Sequence, residues 1–322
     1  MGKSCRTHSV VSCRILKPSN FICSVYYMAT SKYTVRGKYC SPLASSSEAA
    51  GANGGSCYTK QQLITIAHAY NNKYNDKINI YGTKDDIWNQ LEQRMRSCSN
   101  EWCWMKRLHL EDTFIQQYGA SPFRPIRPAG KKAWLGTYDI RDVLKQYEQM
   151  YPDFISMGPV PIDFCQLAFN EVCRLNLKQI LSKGKRRIGI VYNTDKSNKP
   201  GKHWVSMFID LTGNPEHWEI NYFDSFGKAK IAPEIMELIE HLKSQNPHFI
   251  VRMNCSDKAC TSAMNHQKKN TECGVYSINF IVERLRGKSW DDLVINNLYN
   301  DENMLARRSI FFRPTKGDTH PW

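Results

Sequence analysis

One cysteine in this sequence lies where a helix is predicted to begin. The polar run 265–272 ends at Cys273-Gly274, and a series of apolar residues with helical spacing follows at once: Val275, Ile278, Ile281 and Leu285. At a helix start, free N–H groups and the helix dipole favour the thiolate, which is the form that attacks a carbonyl carbon. We therefore predict that Cys273 is a nucleophile, although a cysteine considered alone is more often a small buried apolar residue.

A nucleophilic thiol needs a base and an acceptor that orients the base, and the sequence offers one of each. His203 begins one β-rich segment, and Asp224 ends the next. If the two segments pair as an antiparallel hairpin, the start of the first lies beside the end of the second, so these side chains become neighbours. His217 is a competing histidine, but it begins the segment that Asp224 ends, which places the two about 20 Å apart.

A side-chain amide before the cysteine completes the set. Gln267 supplies an N–H group that, with the backbone N–H of Cys273, can hold the oxyanion formed when a thiolate attacks an amide. Each residue alone has an ordinary structural explanation, such as a strand-edge histidine, a turn aspartate or a loop glutamine. In combination they predict a Cys-His-Asp triad with a glutamine in the oxyanion hole.

The order of these motifs resembles that of the ubiquitin-like-protease clan of cysteine proteases, which is Ulp/SENP and adenain-like. The clan's order of His-Trp, Asp or Asn, Gln, five residues and Cys-Gly is matched by His203-Trp204, Asp224, Gln267 and Cys273-Gly274. The resemblance covers about residues 130–315, and a weaker resemblance extends over 57–120. Within the clan it points to the capsid and core maturation proteases of large DNA viruses, of the African swine fever virus and poxvirus kind.

The resemblance implies a substrate and a cellular location. It implies an endopeptidase that cuts viral core or capsid precursors after Gly-Gly, in virions and at viral assembly sites in the host cytoplasm, with no cofactor. Trp204 would match the tryptophan that roofs a tunnel for glycines, although plain core packing also explains it. The acid here is Asp224, where the swine fever virus type carries Asn; both orient an imidazole.

Three other functions stay open at this point. The first is removal of SUMO or another ubiquitin-like tag from host proteins, which uses the same chemistry on a folded substrate. The second is an acetyltransferase of the bacterial-effector type, against which the Gln-to-Cys spacing and the His-Trp dipeptide argue. The third is a non-catalytic basic scaffold protein in the virion.

The elements that must position these residues follow a simple order along the chain. Helices are predicted from Thr59 to about Asn72, over 84–96, up to Met150, over 162–181 and over 233–243, and Ser289 caps a short one. Strands are predicted at 188–193, 203–211, 217–223 and 249–253. Helices, then sequential strands, then helices indicate an α+β fold, and the resemblance implies a papain-like or adenain-like core with a central mixed or antiparallel sheet flanked by helices.

Composition shifts divide the chain into three parts. Residues 1–56 are basic and then rich in Ser, Ala and Gly, which predicts a poorly structured leader. Residues 57–129 form a helical accessory region and 130–322 the protease domain. Met28 is a candidate translation start, and Gly55-Ser56 is a candidate self-cleavage site, although a glycine linker explains the same residues.

The chain is basic and rich in cysteine. Lys+Arg 44 against Asp+Glu 30 gives a net charge of +14, which favours contact with nucleic acid or acidic protein, or simply a solvated basic surface. Lysines cluster near the predicted site and suggest steering of acidic substrate or stimulation by DNA: Lys196, Lys199, Lys202, Lys228, Lys230, Lys268 and Lys269. No apolar run is long enough to span a membrane.

The cysteines carry a prediction about redox state. The chain has 12 cysteines at irregular spacings and is too large to need disulfide bonds for its stability, which predicts mainly reduced thiols. Cys98, Cys103 and His109, with Cys57, are the nearest approach to a zinc set, but they lack the tight spacing of a zinc site, so no metal is predicted.

Overall fold

A computed structural model describes residues 34, 36–46, 55–130, 132–168, 171–227, 230–254, 264–296 and 299–314. The predictions about Met28, most of the leader and Lys228 lie outside these residues. The chain divides into two compact units, one of Met1–Arg36 with Thr59–Leu110 and one of Gly37–Tyr58 with Glu111–Trp322. The predicted helical region 57–129 is thus shared between the two units, and its boundary with the protease domain stays a prediction.

The helices and strands have the following bounds. The α-helices are α1 (Pro42–Ser46), α2 (Lys60–Lys73), α3 (Lys84–Arg94), α4 (Trp102–Arg107), α5 (Glu111–Tyr118), α6 (Thr137–Met150), α7 (Leu177–Ser182), α8 (Pro233–Gln245), α9 (Cys273–Leu285) and α10 (Asp301–Phe311). The strands are β1 (Phe154–Ser156), β2 (Val160–Pro161), β3 (Arg187–Asn193), β4 (Trp204–Asp210), β5 (Glu219–Phe223) and β6 (Ile250–Asn254). None of these helices is long and apolar enough to cross a membrane.

The first unit is helical, as its sequence predicts. Thr59 and Thr83 each close a capping box at the start of α2 and α3, which fixes where those helices begin. The apolar faces of both helices are buried, and the Trp88 and Trp104 rings lie 5.5 Å apart in the interior. These tryptophans are core residues.

The second unit is built on one mixed sheet. Its strand order is β1-β3-β4-β5-β6, with β2 also paired to β3. Strands β3, β4 and β5 are antiparallel neighbours, whereas β1 and β2 run parallel to β3 and β6 runs parallel to β5. The predicted α+β class and central sheet are therefore confirmed.

Both faces of the sheet are covered, which explains why its strands are almost continuously apolar. Val191 belongs to one core cluster with residues of α6, α9 and α10. Its neighbours Ile190 and Tyr192 belong to the other, with residues of α7 and α8. This alternation follows from the two-residue period of a strand.

The predicted long helix over 162–181 is wrong. A short 3₁₀ helix (Phe164–Gln166) and α7 replace it, and Cys165 is joined to Cys173 with Cα atoms 5.0 Å apart across a separation of 8 residues. A continuous helix would hold two such residues about 12 Å apart. Asn176 caps α7 by accepting from the Gln179 N–H, so the helix begins there.

The prediction of mainly reduced thiols is also wrong for the described cysteines. Disulfides join Cys40 to Cys57, Cys98 to Cys103 and Cys165 to Cys173, and Cys273 is the one free thiol among the described residues. Pairing depends on the approach of Cα atoms to about 4.4–6.8 Å, which irregular spacing in a sequence does not reveal. Cys57, Cys98 and Cys103 are thereby committed to sulfur–sulfur bonds rather than to a thiolate set with His109.

Candidate active site

The β4–β5 hairpin brings the predicted base and acid together. The two strands are antiparallel with Ser206 opposite Phe223, so the residues just before β4 lie beside those just after β5. His203 Nε2 lies 2.7 Å from Asp224 Oδ1, and both side chains are buried. His217 is exposed at the opposite end of β5, so it takes no part in this arrangement.

The hydrogen bond to Asp224 decides which imidazole nitrogen serves as base. A carboxylate oxygen only accepts, so Nε2 carries the proton in this bond. Nδ1 is buried with no oxygen or nitrogen partner among the residues that the structure describes, so it is the nitrogen left for a thiol. Burial lowers the pKa of His203, but the hydrogen bond to Asp224 and the interaction with Cys273 outweigh it and raise the pKa to about 9. The ring therefore favours the imidazolium form beside the cysteine.

Cys273 lies at the start of a buried helix, as predicted. It is the first residue of α9 and is only 7% exposed. Glu272 at the N-cap makes no side-chain cap hydrogen bond, so its carboxylate does not occupy the N–H groups of the first turn. A negative charge on sulfur at this place is stabilised by the helix dipole and by the imidazolium together.

The turn after β5 is held by a residue that the sequence analysis did not single out. Asn254, at the end of β6, accepts a hydrogen bond from the Asp224 N–H at 2.8 Å and donates one to the Asp224 carbonyl at 2.7 Å. The Phe226 N–H donates to Asp224 Oδ1 at 2.9 Å, and the Phe226 ring packs against the imidazole of His203 with centroids 4.8 Å apart. These contacts fix both the carboxylate and the ring that it orients.

Gln267 is fully buried, and its amide orientation follows from its partners. Nε2 donates to the Lys269 carbonyl at 2.5 Å, and because a carbonyl only accepts, the NH₂ group must face it. The Ser225 hydroxyl then donates to Gln267 Oε1 at 2.7 Å. One N–H of the amide is engaged in this way, and the second is left to donate elsewhere.

Ser225 joins the acid turn to the glutamine loop. Besides its hydroxyl contact, its carbonyl accepts from the backbone N–H groups of His266 and Gln267 at 3.0 and 2.8 Å. Gly227 allows the close approach, because its φ is +58° and a Cβ there would lie 2.1 Å from the Met264 carbonyl oxygen. The residue next to the acid therefore positions the predicted oxyanion donor.

Helix α10 holds the segment that leads to the cysteine. Asp301 Oδ2 accepts from the N–H groups of Lys268 and Lys269, both at 2.9 Å. Arg308, fully buried, donates to Glu272 Oε2 at 2.7 Å and to the Thr271 carbonyl at 3.2 Å. The loop between the glutamine and the cysteine is thus fixed at both ends.

Trp204 lies beside the base and is 8% exposed. Its indole N–H donates to the Leu135 carbonyl at 2.9 Å. A Cβ placed on Gly274 would lie 3.0 Å from Leu135 Cβ, so Leu135 contacts both the tryptophan and the residue after the cysteine. Leu135, Trp204 and Cys273 belong to one core cluster.

The lysines near the site differ in their surroundings. Lys196, Lys199 and Lys202 line a cavity next to Trp204, and Lys230 is exposed. Lys269 forms an ion pair with Glu302 at 2.5 Å, and Lys268 Nζ donates to the Asn265 carbonyl at 2.9 Å. Only the first three of these lysines form a compact group around a concave surface.

A second histidine next to the glutamine has a structural place. Burial lowers the pKa of His266 to about 4, so its ring is neutral at ordinary pH. The ring packs edge-on against Phe223 with centroids 5.3 Å apart, and the His266 carbonyl accepts from the Tyr276 hydroxyl at 3.2 Å.

Comparison with known proteins places this arrangement in a family. Residues 190–311 match the model of the Ulp1 protease family, C-terminal catalytic domain. A thiol protease of Acanthamoeba polyphaga mimivirus is 30% identical over 289 residues, covering 82% of this chain and 92% of that protein. A cysteine protease of African swine fever virus is 29% identical over 204 residues, covering 59% of this chain and 72% of that protein.

A solved structure shares the fold. The crystal structure of an African swine fever virus protease superposes with a TM-score of 0.61 at 21% identity, covering 89% of this chain and 99% of the other. At that identity the likeness supports the fold alone, and it agrees with the mixed sheet and flanking helices described above.

Proposed function

The chain belongs to the Ulp1 protease family and is a cysteine protease, and from that premise we propose that it is an endopeptidase that cleaves viral structural precursors after Gly-Gly. The observation that carries the proposal is the His203–Asp224 pair and its interaction with Cys273, the one free thiol among the described residues, at the start of α9. The two viral relatives match this chain over most of their own length, which supports a role in a large DNA virus.

In the proposed cycle, Asp224 holds His203 with Nδ1 toward the thiol. His203 takes the Cys273 proton, and the thiolate attacks the carbonyl carbon of the second glycine. The Cys273 N–H and the second N–H of Gln267 hold the oxyanion, and His203 then protonates the leaving amine. Water hydrolyses the thioester, which releases the acid and restores the thiol.

The restriction to glycine has a steric basis. Trp204 follows the base, and its indole N–H is fixed on the carbonyl of Leu135, whose side chain lies against Gly274, the residue after the proposed nucleophile. A substrate residue with a Cβ needs room beside these two side chains, whereas glycine adds no side chain. We therefore expect substrates with two glycines before the scissile bond, in precursors at viral assembly sites.

The test is cleavage of a Gly-Gly-Xaa peptide by the full chain. Cys273→Ala removes the nucleophile and abolishes cleavage while the fold is retained, and Gln267→Ala lowers the rate by about 10²–10³ because one oxyanion donor is lost. Replacing either glycine by alanine blocks cleavage of the peptide. Activity in the Cys273→Ala protein would overturn the assignment of the nucleophile.

The principal alternative uses the same chemistry on a folded substrate. Competition between a SUMO adduct and a virion-precursor peptide separates the two, because a deconjugating enzyme prefers the folded adduct. Added DNA tests the proposed nucleic-acid contact, since a polyanion bound at the basic surface changes the rate in a salt-dependent way.

A further inference from the structure

A cavity begins one residue from the proposed base. It has a volume of about 500 Å³ and contacts Trp204, Lys202 and Leu135. Its lining falls into an apolar floor and a basic rim. The floor is Trp134, Leu135, Pro159, Val160, Pro161 and Leu167, and the rim is Lys196, Lys199 and Lys202.

The loop that carries the basic rim is held by hydrogen bonds to two polar side chains. Asp163, which is 7% exposed, accepts from the Ser197 N–H at 2.7 Å and from the Ser197 hydroxyl at 2.8 Å. Asn193 Oδ1 accepts from the N–H groups of Asp195 and Lys202 at 2.9 and 3.2 Å, so it joins the two ends of the loop. The lysines therefore project from a fixed loop, which lowers the entropy cost of binding a ligand there.

The apolar floor is also fixed. Leu167 is 38% exposed and lies in the segment that the Cys165–Cys173 disulfide closes. Trp134, which also lines the cavity, is 52% exposed. Large exposed apolar side chains beside a catalytic site favour an apolar ligand group.

We propose that this cavity binds the substrate polypeptide next to its glycine pair and selects an apolar side chain flanked by acidic residues. Among the described residues that line the cavity, Asp195 is the only acid against the three lysines of the basic rim, so the site is complementary to negative charge. The concave apolar floor fits a side chain better than a phosphodiester backbone, which favours peptide over nucleic acid. The cavity lies next to the proposed site, because its lining residues include Trp204, which follows the base, and Leu135, which contacts Gly274. The inference rests on the proposed Gly-Gly endopeptidase activity and adds its sequence preference.

The test compares three peptides that share one Gly-Gly-Xaa site and carry neutral, acidic or basic residues beside a leucine. The native full chain cleaves the acidic peptide with the highest kcat/KM, and the preference weakens in about 0.5 M salt as the charges are screened. Lys196→Glu/Lys199→Glu/Lys202→Glu lowers kcat/KM for the acidic peptide about tenfold through KM, in line with a few exposed charge pairs, and raises it for the basic peptide. The control Lys145→Glu/Lys178→Glu/Lys183→Glu makes the same change in net charge away from the cavity and leaves the preference unchanged.

A second comparison tests the apolar floor. Leu167→Ala reduces the preference for leucine over glycine at the flanking position, whereas Leu43→Ala, at another exposed site, does not. If the neutral, acidic and basic peptides were all cleaved with equal kcat/KM, this inference would be overturned and the protease proposal would stand. DNA binding that is lost in the charge-reversed protein while peptide preference stays unchanged would assign the lysines to nucleic acid and also overturn it. Failure to cleave any peptide, with Cys273 unreactive toward a Gly-Gly electrophile, would instead reject the proposed function.

Discussion

At the scale of single residues, the Asp224 carboxylate determines how the site responds to pH. It accepts from His203 Nε2 and from the Phe226 N–H through Oδ1, while its buried Oδ2 has no hydrogen-bond partner among the described residues. Its negative charge is therefore available to the imidazolium, and it is a main cause of the raised His203 pKa. Replacing Asp224 by Asn removes the charge and keeps the accepting oxygen, so it isolates the contribution of the charge to the His203 pKa.

Asp224→Asn should move the basic limb of the pH profile to lower pH. The raised pKa of about 9 means that His203 stays protonated below that value and loses its proton above it. We expect kcat/KM to fall as pH rises through about 9, because the imidazolium that protonates the leaving amine is then lost. In Asp224→Asn the hydrogen bond to His203 remains but the negative charge is lost. The basic limb of the pH profile therefore moves toward the ordinary pKa of histidine.

The measurement is the pH dependence of kcat/KM on a neutral peptide, with Asp112→Asn as the control for loss of one exposed carboxylate. An unchanged basic limb in Asp224→Asn would show that another group controls it.

Ser225 makes a second prediction at this scale. Its hydroxyl is the donor to Gln267 Oε1, so Ser225→Ala leaves a buried carbonyl oxygen without that partner. We expect kcat/KM to fall about tenfold, the cost of one buried polar atom left unsatisfied, while the rate of Cys273 alkylation by iodoacetamide stays the same. Ser206→Ala is a matched control, because the Ser206 hydroxyl is buried with no partner among the described residues. A parallel loss of alkylation rate would mean that Ser225 acts on the thiol and not on the glutamine.

At the scale of elements, the relation between α9 and α10 places the nucleophile. The Arg308–Glu272 ion pair at the start of α9 is almost fully buried on both sides. Removing one partner of such a pair leaves an uncompensated buried charge, which is far more costly than removing both. The pair thus ties the start of one helix to the body of another.

Arg308→Met should lower the free energy of unfolding by about 3–5 kcal/mol. In Glu272→Gln/Arg308→Met the buried charge is gone, and we expect much of the loss to be recovered. Urea unfolding of the native chain and the two variants measures the effect. A double variant no more stable than Arg308→Met would contradict a coupled pair.

At the scale of the whole molecule, the described part of the chain combines one free thiol with three disulfides. Cys98–Cys103 lies in the first unit, and Cys40–Cys57 and Cys165–Cys173 lie in the second. Ser56 is fully buried beside Cys57. A cut at Gly55-Ser56 would therefore leave the two pieces joined through Cys40 and Cys57, so the candidate self-cleavage releases a fragment only under reducing conditions.

Disulfide mapping checks the thiol assignment directly. After treatment of the native chain with iodoacetamide, a digest without reductant should contain the three cross-linked peptide pairs and a carboxamidomethylated Cys273 peptide. The same digest with reductant is the control, in which the cross-linked pairs separate. Labelling of Cys98 or Cys103 before reduction would show that the first unit carries free thiols.

Local patterns were sufficient for much of this protein. Helical spacing after Cys273 placed the nucleophile at a helix start, and hairpin geometry paired His203 with Asp224, because both depend on residues near one another in sequence. The positions of β3 to β6 also followed from short apolar runs. The helix over 162–181 failed because its apolar spacing also suits an irregular segment that a disulfide closes.

Every contact between segments far apart in the chain depended on the tertiary structure. Asn254 supports Asp224 only because β6 lies parallel to β5, and Ser225 orients Gln267 only because Gly227 lets two loops meet. Arg308 and Asp301 reach the cysteine loop from the far end of the chain, and the disulfides depend on Cα distances. The sequence alone therefore predicted which residues carry the chemistry, since residue type and local period are written in it. The tertiary structure decided what holds them, because that depends on which distant segments pack together.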